Sequence, residues 1–338
     1  MTNTLHLDKK EAWDLALNAL QHNQTSKENA KDVADALISA EIDGQSGHGL
    51  SRLPSYIEQL SSGKVNGNVN PTIVSSKGGV IRIDAKHGFA FPALSLAINE
   101  LTNATKKYGI AAVSVSNSHH FGQAGRYVEC LADSGLIGLM FGNTPKAIPP
   151  WGGTQALFGT NPIAFSAPRK NAPALVIDLS LSKVARGKVM LANQKKERIP
   201  EGWAIDEQGN PTTNAQKALS GAMLPIGDAK GSALALMVEI LSAGLTDSKF
   251  GFEASSFLDS EGDSPDVGQL LIAIDPSFFS GDSFADRMET IVSAILDQPS
   301  TRLPGSKRLE KRKESKEKKI AISKELYDEI TRLTESIL

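Results

Sequence analysis

A change of texture at Pro71 limits the fold of this chain more than any other feature. Before it, apolar residues recur at helical spacing; beyond it, short β-rich runs and helices interleave in no fixed order. Asp8 with Glu11 spells a capping box, and Trp13, Leu17 and Leu20 continue a helical stripe. A second helix is predicted to start near Ser26, with Val33, Leu37 and Ala40 on one face. Pro54 suits the first turn of a third helix, which ends around Gly63. Past Pro71, strands are predicted over 80–84, 110–115, 136–141, 163–166, 174–179 and 270–274. Helices are predicted from Pro92 to a stop at Gly109, over 232–245, and over 283–295. The class expected is α/β with a mixed sheet, because the strict βαβ alternation of a doubly wound sheet is missing.

At 338 residues the chain can bury a large core and form two structural units. A net charge of −2 points to neither nucleic acid nor a membrane surface as partner. The single cysteine, Cys130, excludes an internal disulfide and a Cys-based zinc site, and its setting predicts a buried helical thiol. No apolar segment precedes Lys9 and no run of eighteen apolar residues occurs, so a cytoplasmic globular protein is expected. The charged stretch 307–319 mixes Glu310, Glu314 and Glu317 into its basic residues and reads as a solvated helix. Ser323 then caps a last amphipathic helix, with Leu326, Ile330 and Leu333 inward, that returns to the N-terminal helices.

Chemistry concentrates in Gly44-Gln45-Ser46-Gly47-His48-Gly49-Leu50-Ser51-Arg52. Three glycines in six residues mark a sharp backbone turn that something approaches closely. An imidazole able to move a proton, beside a guanidinium able to grip a carboxylate bidentately, is a workable site for a small acid. The plainer alternative is an N-cap loop with a surface His and Arg. His119-His120-Phe121-Gly122 follows a buried strand, where one histidine packs in the core and the other faces a cleft. Metal coordination by these histidines has no H-x-x-x-H or C-x-x-C spacing to support it, and none is expected. Thr160, in Gly159-Thr160-Asn161-Pro162, can donate to a substrate oxygen or serve its own turn. Gly227 to Ser232 enters a helix whose free N–H groups, with Lys230, can hold a phosphate. Arg302-Leu303-Pro304-Gly305-Ser306 is a basic turn suited to a phosphate or to a linker. No G-x-G-x-x-G opens a helix after a strand, so the usual dinucleotide fingerprint is absent.

In this order, seven stretches resemble the malate/L-lactate dehydrogenase family that lacks a Rossmann domain. They are Gly47-His48-Gly49-Leu50-Ser51-Arg52-Leu53-Pro54-Ser55-Tyr56, Asn117 to Gly122, Phe158 to Pro162, Ile177-Asp178-Leu179-Ser180, Pro200 to Ala204, Leu224 to Gly227 with Lys230-Gly231, and Leu303-Pro304-Gly305. The resemblance implies an NAD- or NADP-dependent homodimeric oxidoreductase acting on a small-molecule carboxylate. It implies a helical, dimerising domain from 1–72 plus 305–338, beside a non-Rossmann cofactor domain over 73–304. By that likeness His48 is the proton donor or acceptor, and Arg52 and Thr160 hold substrate. His120, Phe121, Gly122, Asp178, Leu179, Ser180, Lys230, Arg302, Pro304, Gly305 and Ser306 line the cofactor.

Two departures from the family bear on chemistry. Many relatives carry Ser directly before the catalytic His; here Gly47 stands there, and Ser46, the remaining candidate for a relay, is one residue further back. Imino-acid reductases of the family tend to carry an acidic residue after the Ala-x-Gly turn, whereas this chain reads Ala185-Arg186-Gly187-Lys188. A positive Lys188 favours a 2-hydroxy acid over a cyclic ketimine. A catalytically silent ligand-binding relative is the reading from another class.

Overall fold

The computed structural model describes residues 4–317 and 319–335. Strand β1 (Thr4–Leu7) leads into helices α1 (Lys9–His22), α2 (Lys27–Ile42) and α3 (Leu53–Ser61). Then follow β2 (Thr72–Lys77), β3 (Val80–Asp84), α4 (Ala90–Tyr108), β4 (Ile110–Ser118), α5 (Ala124–Asp133), β5 (Ile137–Gly142), β6 (Ile163–Ala167) and β7 (Leu175–Leu179). A smaller excursion holds α6 (Arg186–Gln194), β8 (Ala204–Ile205), β9 (Pro211–Thr212), α7 (Ala215–Ser220) and β10 (Ala222–Met223). The chain continues with α8 (Ala229–Glu239), a π-helical turn (Ile240–Gly244), β11 (Val267–Ile274), α9 (Ser277–Ser280), α10 (Ser283–Leu296), α11 (Ser306–Glu317), β12 (Ile320–Ser323) and α12 (Lys324–Glu335).

The local signals act as predicted. Asp8 Oδ1 accepts from the Glu11 N–H and Glu11 Oε2 from the Asp8 N–H, both at 2.7 Å, which closes the capping box of α1. Ser26 Oγ accepts from the Asn29 N–H at the start of α2, and Gly109 ends α4. The main sheet has seven strands in the order β2-β3-β4-β11-β5-β6-β7. Only β3 and β4, joined through α4, pair in parallel; every other neighbour is antiparallel. This is the mixed sheet expected, and it cannot be a doubly wound dinucleotide fold, whose strands run parallel.

The two ends of the chain are held together by an unpredicted pairing of β1 with β12, in register from Thr4 opposite Ser323 to Leu7 opposite Ile320. Ser323 Oγ then accepts from the Leu326 N–H, and α12 returns onto α1, where Asn23 Nδ2 donates to Leu333 O at 2.8 Å. One continuous apolar core runs from Leu20 and Leu37 of the helices, through Tyr56 and Ile57 of α3, to Val113 and Val115 of β4 and Leu271 of β11. The opposite face of the sheet buries Phe141 and Leu270 against Val238 of α8 and Met223. The excursion between β7 and α8 has its own small core around Val189, Ile199 and Ala215, and pairs β10-β8-β9 as a three-stranded sheet.

Two expectations are corrected. Cys130 is exposed, because its position on α5 turns away from the sheet. Helix α11 is not merely solvated: Arg308 and Arg312 project inward. Arg312 donates to both oxygens of Asp43 and to both of Glu129, with Nη2–Glu129 Oε2 at 2.6 Å, while Arg308 Nη2 reaches Glu129 Oε1 at 2.9 Å. The Asp43 side chain is 1% exposed and ends α2 directly before the glycine-rich loop. This ion network fastens α11 to that loop and to α5. Its basic residues are spaced for burial on one face, which a count of charges does not reveal.

Candidate active site

The glycine-rich loop folds as two tight turns, Ser46–His48 and Leu50–Arg52, before α3. Glu41, at the end of α2, accepts the Leu50 N–H at 2.7 Å, and a Cβ on Gly49 would stand 2.0 Å from its Oε1. Only glycine fits there. Arg52 Nε donates back to Gly47 O at 2.7 Å, so the guanidinium braces the turn that carries His48. Its two terminal nitrogens have no hydrogen-bond partner among the described residues.

His48 and His120 meet across the site, their rings stacked at 5.4 Å and inclined by 16°. The turn after α2 supplies one, and the segment leaving β4 the other. The Tyr56 hydroxyl of α3 lies 2.5 Å from His120 Nδ1 in the core. Burial pushes the Tyr56 phenol up, and burial together with Arg52 and His48 holds His120 well below the usual imidazole range. The phenol therefore keeps its proton and the imidazole stays neutral; with the phenol assigned as donor to Nδ1, the imidazole proton sits on Nε2. His48 is lowered to about 4, first by burial and then by the Arg52 charge. His119 is also buried and lowered to about 3, by burial, Lys64 and Arg52. Both adjacent histidines are thus enclosed, but only His120 meets His48; His119 packs edge-on to Tyr56 and Phe89.

Ser46 does not join this group. It is exposed, its carbonyl accepts from Ser51 Oγ, and the buried His48 Nδ1 has no hydrogen-bond partner among the described residues. With Gly47 between them, the turn carries Ser46 away from the ring.

Beside the histidine turn lies a cleft of about 570 Å³. It is bounded by Gln45, the end of β7 (Val176 to Leu179), Arg302, Pro304, Gly305 and Arg308. Asp178 Oδ2 accepts from the Gly125 N–H at 2.8 Å. A Cβ on Gly125 would lie 2.9 Å from that oxygen and 3.2 Å from Arg308 Nη1, so a side chain there would push both groups aside. Arg308 Nε is buried without a hydrogen-bond partner. That nitrogen lies 4.0 Å from Asp43 Oδ2, so the cleft offers Arg302, the rim of the paired Arg308 guanidinium and a backbone turn, a donor set that fits the phosphates of a dinucleotide. Ser306 Oγ is turned back onto Leu303 O, capping α11.

Not every predicted lining residue faces this cleft. Phe121 is a core side chain, its ring packed where a Cβ on Gly142 would fall. Gly122 lies against the Phe91 ring. Lys230 is exposed on the first turn of α8 and is not among the residues that line the cleft. Ser180 Oγ points to Thr160 O and Ser182 Oγ, which ties the end of β7 to the Thr160 loop. Thr160 Oγ1 lies 3.2 Å from Thr144 Oγ1.

That loop is held by a residue the sequence reading passed over. Glu239 is buried at the junction of α8 with the π turn, and its carboxylate accepts from Asn161 Nδ2 (2.9 Å), Gly251 N (3.0 Å) and Gly159 N (3.2 Å). Burial raises its carboxyl against the lowering effect of these donors. A lone acid within the apolar run 231–245 was the available signal. Lys64, buried beside His119, had none. Among the described residues, no group of three or more His, Cys, Asp or Glu side chains is arranged to hold a metal ion.

A mixed sheet that carries a stacked imidazole pair and an open guanidinium beside a cleft fits the oxidoreductases built without a Rossmann domain. The chain belongs to the malate/L-lactate dehydrogenase family, whose model matches residues 7–331. It is 51% identical over 305 residues to a (2R)-3-sulfolactate dehydrogenase (NADP(+)) of Chromohalobacter salexigens, covering 90% of this chain and 91% of that one. The crystal structure of a Δ1-piperideine-2-carboxylate reductase from Pseudomonas syringae superposes with a TM-score of 0.92 at 37% identity, covering 97% of this chain and 99% of that one. A sulfolactate dehydrogenase from Methanocaldococcus jannaschii superposes with a TM-score of 0.91 at 31% identity, covering 98% and 97%.

Proposed function

We propose that this protein is an NADP(H)-dependent oxidoreductase that interconverts a 2-hydroxy acid and its 2-oxo acid, of the malate, lactate or sulfolactate type. The observation that carries this reading is the His48–His120 stack beside an Arg52 whose fork is open. The identity to a sulfolactate dehydrogenase (NADP(+)) supports the substrate class and the cofactor. In this reading the cleft holds the cofactor, with Arg302, Arg308 and the Pro304-Gly305 turn toward its phosphates and Asp178 and Leu179 beside them. When bound, the nicotinamide supplies or removes the hydride.

The residues of the chain handle the acid and the proton. Arg52 grips the carboxylate bidentately, fixing the carbon next to it. Neutral His48 takes the hydroxyl proton in the oxidation and returns it to the carbonyl oxygen in the reduction. His48 is lowered partly by the Arg52 charge. A bound carboxylate cancels that charge, so substrate raises the proton affinity of His48 when a proton donor is needed. The Nε2–H of His120, its tautomer held by Tyr56, is a neutral donor beside it.

We place this activity in the cytoplasm and in a homodimer. Helix α8 and the π turn present Leu234, Leu236, Met237, Ile240 and Leu245 outward, an apolar face that a second copy would cover. The terminal helices are poorer candidates for that seam, because their apolar stripes are already buried against each other.

A second reading, reduction of a cyclic ketimine carboxylate, draws on the likeness to the Pseudomonas syringae reductase. Mixing the protein with NADPH or NADH and a panel of 2-oxo acids and cyclic ketimines, and following absorbance, separates the two. Faster oxidation of NADPH with a 2-oxo acid supports the main reading; turnover of the imines alone overturns it.

A further inference from the structure

The segment from Phe250 to Asp266, between the π turn and β11, has almost no regular structure, yet it is tied down along its length. Near its start the Gly251 N–H donates to Glu239 Oε2. At its end Asp266 pairs with Lys249 at 3.2 Å and with His87. In the middle, Lys64 Nζ donates to Asp259 O (3.1 Å), Asp259 Oδ1 (3.2 Å) and Glu261 O (2.6 Å), and Gln59 Nε2 also donates to Asp259 O at 3.0 Å. Lys64 is 2% exposed. An ammonium out of water is stable only when its donors are met, and Lys64 directs all of its hydrogen bonds to this one segment.

Between these anchors sits Phe257, 8% exposed, with its ring centroid 5.4 Å from His119 and 5.3 Å from His120. It forms one wall of the enclosure around the imidazoles. The opposing walls are the Tyr56 and Phe89 rings.

We propose that Lys64 is a positioning residue: it fastens the Phe250–Asp266 strap so that Phe257 keeps bulk water from His120, the inner member of the stacked pair. The catalytic consequence rests on the function proposed above, whereas the strap itself does not. Its chemical value lies in desolvation. A dry enclosure keeps the stacked imidazoles neutral and strengthens the action of Arg52 on a bound acid. The charged or titratable groups acting on the pair are Arg52 on both rings, and Tyr56 and His119 on His120, while Lys64 acts on His119.

The test uses the full chain as wild type, Lys64→Met, Lys64→Arg and Phe257→Ala. Hydrogen exchange read by mass spectrometry should show amides over 254–264 exchanging at least about tenfold faster in Lys64→Met, with Lys64→Arg recovering much of the protection. Histidine titration by NMR should show the His119 and His120 midpoints rising by at least about one pH unit in Phe257→Ala, which admits water without changing any charge. With substrate, Phe257→Ala should lower kcat more than it raises KM, since the acid is held by Arg52. Unchanged exchange in a folded Lys64→Met, or unchanged His119 and His120 midpoints in Phe257→Ala, overturns the proposal. If Lys64→Met does not fold, the Phe257→Ala titration decides alone. A strap that behaves as described in a protein that turns over no 2-oxo acid would sink the functional reading and leave this one standing.

Discussion

Replacing Tyr56 by Phe removes one oxygen and tests how the imidazole pair is set. The tyrosine ring is fully buried, packed against Phe89 at 5.3 Å and Phe91 at 6.3 Å, and those contacts survive in the variant. What is lost is the hydrogen bond to His120 Nδ1. A buried acceptor left without its donor costs about 1–3 kcal/mol. For 338 residues, an unfolding entropy of roughly 2.1 cal/mol/K per residue amounts to about 0.7 kcal/mol/K, so Tm should fall by roughly 1.5–4 °C. The second effect is chemical. Without the phenol, His120 is free to carry its proton on Nδ1, and the Nε2–H donor is no longer held toward the site. A fall in kcat of about tenfold, corresponding to roughly 1.4 kcal/mol in the barrier, is expected with cofactor affinity unchanged. Calorimetry reads the first effect, nitrogen-15 shifts of the imidazoles the tautomer, and steady-state kinetics the rate. A variant with wild-type Tm and wild-type His120 shifts would refute both the hydrogen bond and the tautomer derived from it.

His48→Asn should lower kcat by about 10²–10⁴-fold with little change in cofactor binding, measured by fluorescence titration; a near-normal kcat removes His48 from the mechanism. Arg52→Lys keeps the charge but not the fork, so kcat/KM should drop at least about tenfold while cofactor affinity holds. Arg302→Lys should do the reverse, and an exchange of the two phenotypes would mean the two ends of the site are swapped. Burial and the Arg52 charge lower His48 to about 4 from the usual imidazole range near 6.5, and His119 and His120 shift the same way. The unfolded chain therefore takes up protons first, so stability should be level above about pH 6.5 and decline as pH falls toward 4. Urea unfolding at pH 7, 6 and 5 checks this, and identical stabilities would contradict the burial of the imidazoles. Arg312→Met leaves Arg308 as the one cation of the network beside Asp43 and Glu129, with Gln123 Nε2 still donating to Asp43 at 3.3 Å. Because the Arg312 side chain is 29% exposed, the loss should be on the order of 2 kcal/mol, below the ~3–5 kcal/mol for a fully buried pair.

What the sequence determined by itself was local. The Asp8–Glu11 box, the Ser26 and Ser323 caps and the Gly109 stop act between residues no more than about four apart, so their spacing is written in order along the chain. The turn that presents His48 and Arg52 was legible for the same reason: its glycines, the brace from Arg52 to Gly47 and the close approach of Glu41 fall within a dozen residues. The grouping of Asp178, Leu179, Arg302, Pro304 and Gly305 came from resemblance to a family, and their meeting at one cleft is a tertiary fact. Only the tertiary structure inserted β11 between β4 and β5, joined β1 to β12, and turned Arg308 and Arg312 inward onto Asp43 and Glu129. It also set Tyr56 against His120, Lys64 against Asp259, and Phe121 into the core rather than the cleft. These partners lie tens to hundreds of residues apart. A lysine or arginine that will be buried and paired has the same side chain as one left in water, and the difference arises only when the surface that desolvates it has formed.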